Sequence, residues 1–350
     1  MFGGFFMEKN QTVRCGKQSV FLQNPVYIHS SASVVGKKEG EGCFKDYFDK
    51  VSQDDYFGTQ SWEDAESTLQ KEAVTLALSK GEINKENIHY ILSGDLLGQS
   101  IASSFGLKSF EIPLFGLYGA CSTCGESLSL GSMLVSAGYG ENVVCVTSSH
   151  FASAEKEFRY PLAYGNQRPK SSTWTVTGSG AFVLSNKPWG KDRAIITGVT
   201  TGVITDYGVK DSMNMGACMA PAAAATIYAH MTDFGVKPEE YDRIITGDLG
   251  TVGQTILFEL LMEKGIDISA KHMDCGIEIF DSKAQGTEAG GSGCGCAATV
   301  LSAYILKQIE EGKWKKVLFI PTGALLSKTS FNEGKSVPGI AHAVVIEKCR

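Results

Sequence analysis

The run Tyr90-Ile-Leu-Ser-Gly-Asp95, followed by Gly98-Gln99, returns in the second half of the chain as Arg243-Ile-Ile-Thr-Gly-Asp248 with Gly253-Gln254. An apolar stretch that stops at Gly-Asp reads as a buried strand ending in a polar turn. Its return points to an internal duplication. The echo extends in both directions. Upstream of each copy lies a helical segment, Glu63 to Lys80 and Ala217 to Phe234, with small and apolar residues at helical intervals. Downstream, Gly119-Ala-Cys-Ser-Thr-Cys-Gly125 opens a small-residue helix ending near Gly138, and Gly290-Gly-Ser-Gly-Cys-Gly-Cys296 opens another ending near Gly312. Each leads to a β-branched run, Asn142-Val-Val-Cys-Val-Thr147 and Lys316-Val-Leu-Phe-Ile320, of the kind buried on both faces of a sheet. The copies close with Gly180-Ala-Phe-Val-Leu184 and His342-Ala-Val-Val-Ile346.

Helices rich in Gly, Ala, Ser and Cys are poor surface helices, since a glycine costs about 1 kcal/mol relative to alanine in an exposed helix interior. Their place is a central layer between two mixed sheets, where small side chains permit close approach. The expected fold is therefore α/β, two duplicated halves (residues 1–190 and 191–350) forming a five-layer α/β/α/β/α sandwich.

A chain of 350 residues with 43% hydrophobic content buries one large core or two fused ones. A net charge of -6 and the lack of a basic cluster with interleaved aromatics argue against nucleic acid as a partner. No apolar run approaches the roughly 20 residues of a membrane helix, and Met1–Phe6 is too short for a signal peptide. A cytosolic origin is expected. The ten cysteines then read as reduced thiols, most of them, Cys145 and Cys275 included, small buried hydrophobes. Cys121–Cys124 with Cys294–Cys296 has too tight a second spacing for a zinc knuckle, so neither a metal nor any other cofactor is expected. The stretches Gly36–Gly42 and Ser52–Gln60 read as loops near the pocket or a partner surface.

Chemistry concentrates at Cys121, which follows Tyr118-Gly119-Ala120 at the start of a buried helix. A thiol there feels the positive end of the helix dipole, which lowers its pKa and favours thiolate; a buried structural cysteine is the plainer reading. Asp248 reads as a cap for the turn that follows, as Asp95 does in the other copy.

An Ala-Cys motif at a helix start, then Gly178-Ser-Gly-Ala181 before a strand, within a duplicated chain, resembles the thiolase superfamily and in particular its ketoacyl synthase III branch. The resemblance covers nearly all of residues 20–350. It implies that Cys121 stands at the acyl-accepting nucleophile. It also counts against condensation, because the branch has a His after the strand ending Ile244-Ile245-Thr246 and an Asn in the later glycine-rich turn, where this chain has Gly247 or Asp248, and Ser292. Losing such preorganised donors costs about 2.7–4 kcal/mol each, and a carboxylate there repels a developing oxyanion. Homodimers are usual in the superfamily, so a homodimer is expected.

The segments Tyr118-Gly-Ala-Cys-Ser-Thr123, Ser148-Ser-His-Phe-Ala152, Ala154-Glu-Lys-Glu-Phe-Arg-Tyr-Pro161 and Thr173-Trp-Thr-Val-Thr-Gly178 are similar to the stage V sporulation protein AD family of endospore-forming bacteria. That resemblance implies a non-catalytic protein binding dipicolinic acid, pyridine-2,6-dicarboxylate, during its uptake into the developing spore. It also implies partnership with the other proteins of the SpoVA channel and a peripheral place at the spore inner membrane through them. A planar dianion needs donors and a flat surface. The helix start at Cys121 offers N–H groups, and Arg159 or Arg168 a bidentate grip. Tyr118, Tyr160 or Tyr164 offers a ring face, with His150, Asp248 and Ser292 nearby. The plainer reading pairs Arg159 and Arg168 with Glu155 and Glu157. Because a one-to-one calcium chelate is neutral, it avoids the repulsion between a dianion and a chain of charge -6. The alternative that the resemblance implies is a ketoacyl synthase III-like acyltransferase using Cys121 as nucleophile, with Asp248 open to the role of general base in simple acyl transfer.

Overall fold

The computed structural model describes residues 13–159, 168–188 and 194–349. Ten strands form the spine of one large sheet: β1 (Ser19–Val35), β2 (Tyr90–Gly94), β3 (Leu114–Gly116), β4 (Asn142–Ser149), β5 (Gly178–Ser185), β6 (Ala194–Thr200), β7 (Arg243–Thr246), β8 (His272–Asp274), β9 (Lys316–Ile320) and β10 (Ala343–Lys348). Their order across the sheet is β3-β2-β4-β5-β1-β6-β10-β9-β7-β8. Adding five to each number on one side gives its counterpart on the other, so both halves follow one topology. The directions repeat as well. β2 runs parallel to β3 and β4, as β7 does to β8 and β9, whereas β4–β5–β1 and β9–β10–β6 are antiparallel. The halves meet where β1 pairs antiparallel with β6. The expected division at 190/191 lies outside the described residues.

Helices α1 (Trp62–Lys80), α2 (Thr123–Ser136), α3 (Phe151–Phe158), α4 (Met215–Phe234) and α5 (Gly250–Met262) accompany these strands. A sixth, α6, consists of Cys294–Val300, a π-helical Leu301–Ile305 and Leu306–Glu310. The ends of the long outer helices are chemically marked. Ser61 accepts the Asp64 N–H at the start of α1, Asn214 accepts that of Ala217 at the start of α4, and α4 ends on Gly235 at φ +66°.

Alternation along the strands builds the layers. Val143 and Cys145 of β4 face one side with Phe182 and Leu184 of β5, against α2 and α6, while Val144 and Val146 face α1 on the other. In the second half Val317 and Phe319 of β9 face the same central helices, and Leu318 and Ile320 face α4 and α5. This gives outer helices, half-sheet, central helices, half-sheet and outer helices, the expected five layers. The small residues of α6 are what permits its contact with the sheet: a Cβ added at Gly180 of β5 would lie 2.6 Å from the Ala298 backbone. Among the described residues, no helix is long and apolar enough to cross a membrane.

Candidate functional site

Cys121 lies in a 3₁₀ turn, Ala120–Ser122, that runs into α2. The turn is locally closed: Thr123 Oγ1 accepts the Gly119 N–H at 3.0 Å and donates to Ala120 O at 2.6 Å, and Ser122 Oγ donates to Gly119 O at 2.7 Å. Ala120 sits at φ +50°, a conformation a non-glycine residue holds only when its surroundings impose it. The side chain of Cys121 is 5% exposed and packs with Leu96, Ala154 and Cys294.

The thiol faces Asp248, the charged neighbour that acts on it most strongly. Asp248 follows β7 and is fully enclosed. Its Oδ1 accepts the Thr322 hydroxyl at 2.7 Å, and its Oδ2 accepts the Gly293 N–H at 2.9 Å. Gly293 reaches that position at φ +105°, and a Cβ on it would strike Ser149 Oγ at 2.5 Å. Burial pushes the Asp248 carboxyl up to about 7. Burial, then the neighbouring Asp248, pushes the Cys121 thiol well above its ordinary range. Of the two readings of Cys121, these shifts favour the buried thiol over the thiolate. A thiol in apolar packing against a carboxylate keeps its proton, and these two effects outweigh the N-terminal dipole.

The repeated aspartates have diverged. Asp95 caps its own turn, accepting the Leu97 N–H at 2.9 Å and the Ser103 N–H and hydroxyl at 2.8 and 2.6 Å. The equivalent work after β7 is done by Asp274, which accepts from Leu249, Gly250 and Ile277 and holds the Thr246 hydroxyl at 2.6 Å. Asp248 is thereby released from capping and faces the thiol.

The remaining expected site residues separate. Ser292 pairs through its backbone with Thr175 in a two-residue ladder, and it is Gly293 that reaches Asp248. Cys294 packs on Cys121 and donates to Ser148 O at 2.8 Å. Tyr118 is 46% exposed, its hydroxyl 3.4 Å from Leu96 O. Arg159 and Arg168 both close on Glu155 Oε1, at 2.5 and 2.6 Å, so the carboxylate they grip is the protein's own. Tyr160 and Tyr164 lie outside the described residues. Among the described residues no group of three His, Cys, Asp or Glu side chains is placed to hold a metal ion.

His150 belongs to a different place. It caps α3, its Nδ1 accepting the Ala152 N–H at 3.2 Å and its Nε2 2.8 Å from Asp55 O, and burial lowers its pKa. It borders a cavity of about 370 Å³ that Gly36, Lys38, Glu39, Trp62, Phe151 and Trp174 also line, and Cys121 does not. Trp62 stacks on Tyr56 with ring centroids 3.8 Å apart, and Trp174 on Phe151 at 3.9 Å. The Lys38 ammonium stands 4.2 Å from the Trp174 centroid, and the Arg168 guanidinium covers the same two stacked rings from 5.0 and 5.2 Å. Sequence reasoning reached this cavity through His150 and through its loops, Gly36–Gly42 and Ser52–Gln60. The Trp-Thr pair within Thr173–Gly178 marked similarity without announcing a wall.

Comparison with known proteins adds identity to this geometry. A model of the family described as stage V sporulation protein AD matches residues 16–347. Stage V sporulation protein AD of Bacillus subtilis (strain 168) is 41% identical over 333 residues, covering 95% of this chain and 97% of that one. Among solved structures, 3-oxoacyl-[acyl-carrier-protein] synthase III from Aquifex aeolicus is 15% identical with a TM-score of 0.56, covering 92% of this chain and 99% of that one. A single-residue variant of OleA from Xanthomonas campestris is 17% identical at a TM-score of 0.57, covering 93% and 99%. At such identities these two likenesses speak for the fold alone.

Proposed function

The chain belongs to the stage V sporulation protein AD family, and from that premise we propose that it binds dipicolinic acid during the acid's uptake into the developing spore and does not condense acyl groups. The observation that carries the reading is the pairing of Cys121 with the enclosed carboxylate of Asp248. A condensing site needs a reactive sulfur and hydrogen-bond donors aimed where negative charge develops. Here the sulfur is protonated and the nearest ionisable group is an acid.

In this reading the protein works with the other proteins of the spore-membrane channel and is held at the spore inner membrane through them. A homodimer is supported by a sheet edge that is unpaired among the described residues. All three residues of β3 are exposed, and one of them, Phe115, lines an apolar groove with Leu130, Met133, Leu134 and Tyr139. Calcium accompanies the ligand as a neutral chelate, which removes the repulsion a dianion meets from a chain of charge -6.

One observation favours the second reading, an acyltransferase. A carboxyl pushed up to about 7 and facing a thiol is suited to accept its proton near neutral pH. Incubation with acyl-CoA donors followed by intact-mass measurement separates the two. The binding reading expects no acyl adduct on Cys121 and saturable calorimetric binding of dipicolinate; an adduct that turns over supports the transferase.

A further inference from the structure

Two long outer helices hold equivalent positions in the duplicated fold, α1 ahead of β2 and α4 ahead of β7, and their open faces differ. α1 presents Asp64, Lys71 and Lys80 to water, with Glu63 and Glu72 half-buried beside them, as a helix wetted along one side should. α4 spans 20 residues and carries a single charge, Asp233. That carboxylate is turned to its own chain, accepting the N–H groups of Lys17, Gln18 and Ser19 at 3.2, 2.9 and 3.1 Å. Between Cys218 and Thr232 the residues of α4 that are not buried are Ala225, Tyr228, Ala229 and Thr232. An outer helix without a charged face is one that something else covers.

The face is also concave. α4, α5 and the stretch 201–214 enclose a groove of about 380 Å³. Pro221, Ala224, Ala225 and Ala229 give it small side chains, which let a helix backbone approach closely. Tyr207 and Tyr228, 66% and 41% exposed, give it large ones of the kind that anchor interfaces. The stretch carrying Tyr207 is fixed before any partner arrives, because Thr205 and Gly339 exchange backbone hydrogen bonds at 2.9 and 2.8 Å. Val203 and Ile204 of the same stretch are exposed as well. On α5, Glu259 and Glu263 stand one turn apart, both exposed, and neither is ion-paired among the described residues. Like charges at that spacing repel. The adjacent cation, Lys264, has its ammonium 4.6 Å from the Tyr228 ring centroid.

We infer that this groove docks an amphipathic helix of a partner protein, apolar along one face and carrying Lys or Arg along the flank that meets Glu259 and Glu263. The inference rests on the reading that the protein works with partners at the spore membrane, and it gives that partnership a surface. None of the groove's lining residues belongs to the Cys121 cluster or to the cavity beside His150. A lipid surface is the poorer fit. Anionic membranes attract faces with cations in excess. Here Lys17 and Lys264 are matched in the lining by Asp233 and Glu263, and Glu259 adds a further carboxylate. A groove with small residues along one helix suits an inserted helix instead.

The test titrates the full chain into fluorescein-labelled helical peptides of about 20 residues and follows anisotropy. One peptide has Leu at i, i+3, i+4 and i+7 flanked by Lys, a second has Glu for every Lys, and a third is a scrambled order of the first. The Lys peptide is expected to bind saturably, and the other two about tenfold or more weakly. Ala225→Glu, a change that a helix accepts, should weaken the Lys peptide by about tenfold or more, with circular dichroism checking the fold. Glu259→Lys combined with Glu263→Lys should exchange the preference, so that the Glu peptide becomes the tighter one. Equal binding of the Lys peptide by the wild type and Ala225→Glu, or no exchange in the double variant, would overturn the groove. Sedimentation with phosphatidylglycerol vesicles that Ala225→Glu abolishes would overturn it in favour of lipid. A dimer that Ala225→Glu dissociates would overturn it in favour of a second copy. Dipicolinate calorimetry on the same preparations separates the two readings: peptides unbound while the acid binds removes the groove alone, and peptides bound while the acid does not removes the dipicolinate reading alone.

Discussion

Asp248 faces the thiol of Cys121 while the Thr322 hydroxyl and the Gly293 N–H hold its two carboxylate oxygens, at 2.7 and 2.9 Å. The sulfur therefore lies against a carboxylate that is fixed in place. Both the reactivity of the thiol and the pH dependence of stability depend on that pairing.

For reactivity, Asp248→Asn removes the negative charge and leaves the shape. The thiol pKa then falls, and each unit of that fall raises the thiolate fraction about tenfold below the pKa. Iodoacetamide labelling of Cys121 at pH 8, followed by peptide mass spectrometry, should be slow in the wild type and about tenfold or more faster in the variant. Equal rates would show that burial alone restrains the sulfur.

For stability, Asp248 and Glu39 both have folded-state pKa values raised to about 7, above their unfolded values near 4. A group raised on folding contributes stability that is complete below its unfolded pKa and is lost as pH rises through the folded value. His230, His272 and His342 act in the opposite sense. Burial lowers them to about 3, 4 and 4, so their contribution is present above pH 6.5 and lost on acidification. Between pH 6.5 and 8 the raised acids weaken the fold, while the last part of the unfolded histidines' deprotonation partly offsets them. Denaturant unfolding at the two pH values, compared between the wild type and Glu39→Gln, isolates one acid: the change should be more favourable in the variant by about 1 kcal/mol.

The Glu155 side chain is 3% exposed and carries two guanidinium groups, Arg159 and Arg168, with side chains 13% and 8% exposed. Glu155→Ala leaves two enclosed cations without their carboxylate. Breaking a buried pair of this kind costs about 3–5 kcal/mol. The stability loss should far exceed that of Lys187→Ala, whose partner Glu141 is solvent-exposed. Thermal melts of the two variants decide it, and similar shifts would show that water screens the triad.

The central layer gives a sharper packing test. Gly180→Ala would drive a methyl group to 2.6 Å of the Ala298 backbone, and overpacking costs about 1–3 kcal/mol or more. The substitution should lower the melting midpoint, whereas Gly58→Thr, where the added Cβ meets nothing within 4 Å, should show only the cost of its φ of +75°. A thermally silent Gly180→Ala would mean that α6 and β5 can move apart.

The fold was legible because its signal is periodic and repeated. The segment from Tyr90 to Asp95 and its echo from Arg243 to Asp248 became strands β2 and β7 in matching positions, and the small-residue runs became the central helices. The site was less legible because its chemistry depends on which side chains meet. From the sequence, Asp95 and Asp248 look alike. Only the position of Asp274 decides that one caps a turn and the other faces a thiol. The helix dipole is a local property that sequence can register, whereas the burial and the carboxylate that overrule it at Cys121 are tertiary. For Arg159 and Arg168 the sequence offers both a ligand carboxylate and Glu155 or Glu157, and only the fold decides for Glu155. Lys38-Glu39, Trp62 and Trp174 lie on three separate segments, and nothing local joins the three into a cavity.

The most direct measurement is calorimetric titration of pyridine-2,6-dicarboxylate into the wild-type chain, with and without equimolar calcium. Saturable binding in both conditions, stronger with calcium present, is the predicted result. Heats no larger than dilution in both would contradict the account at its centre.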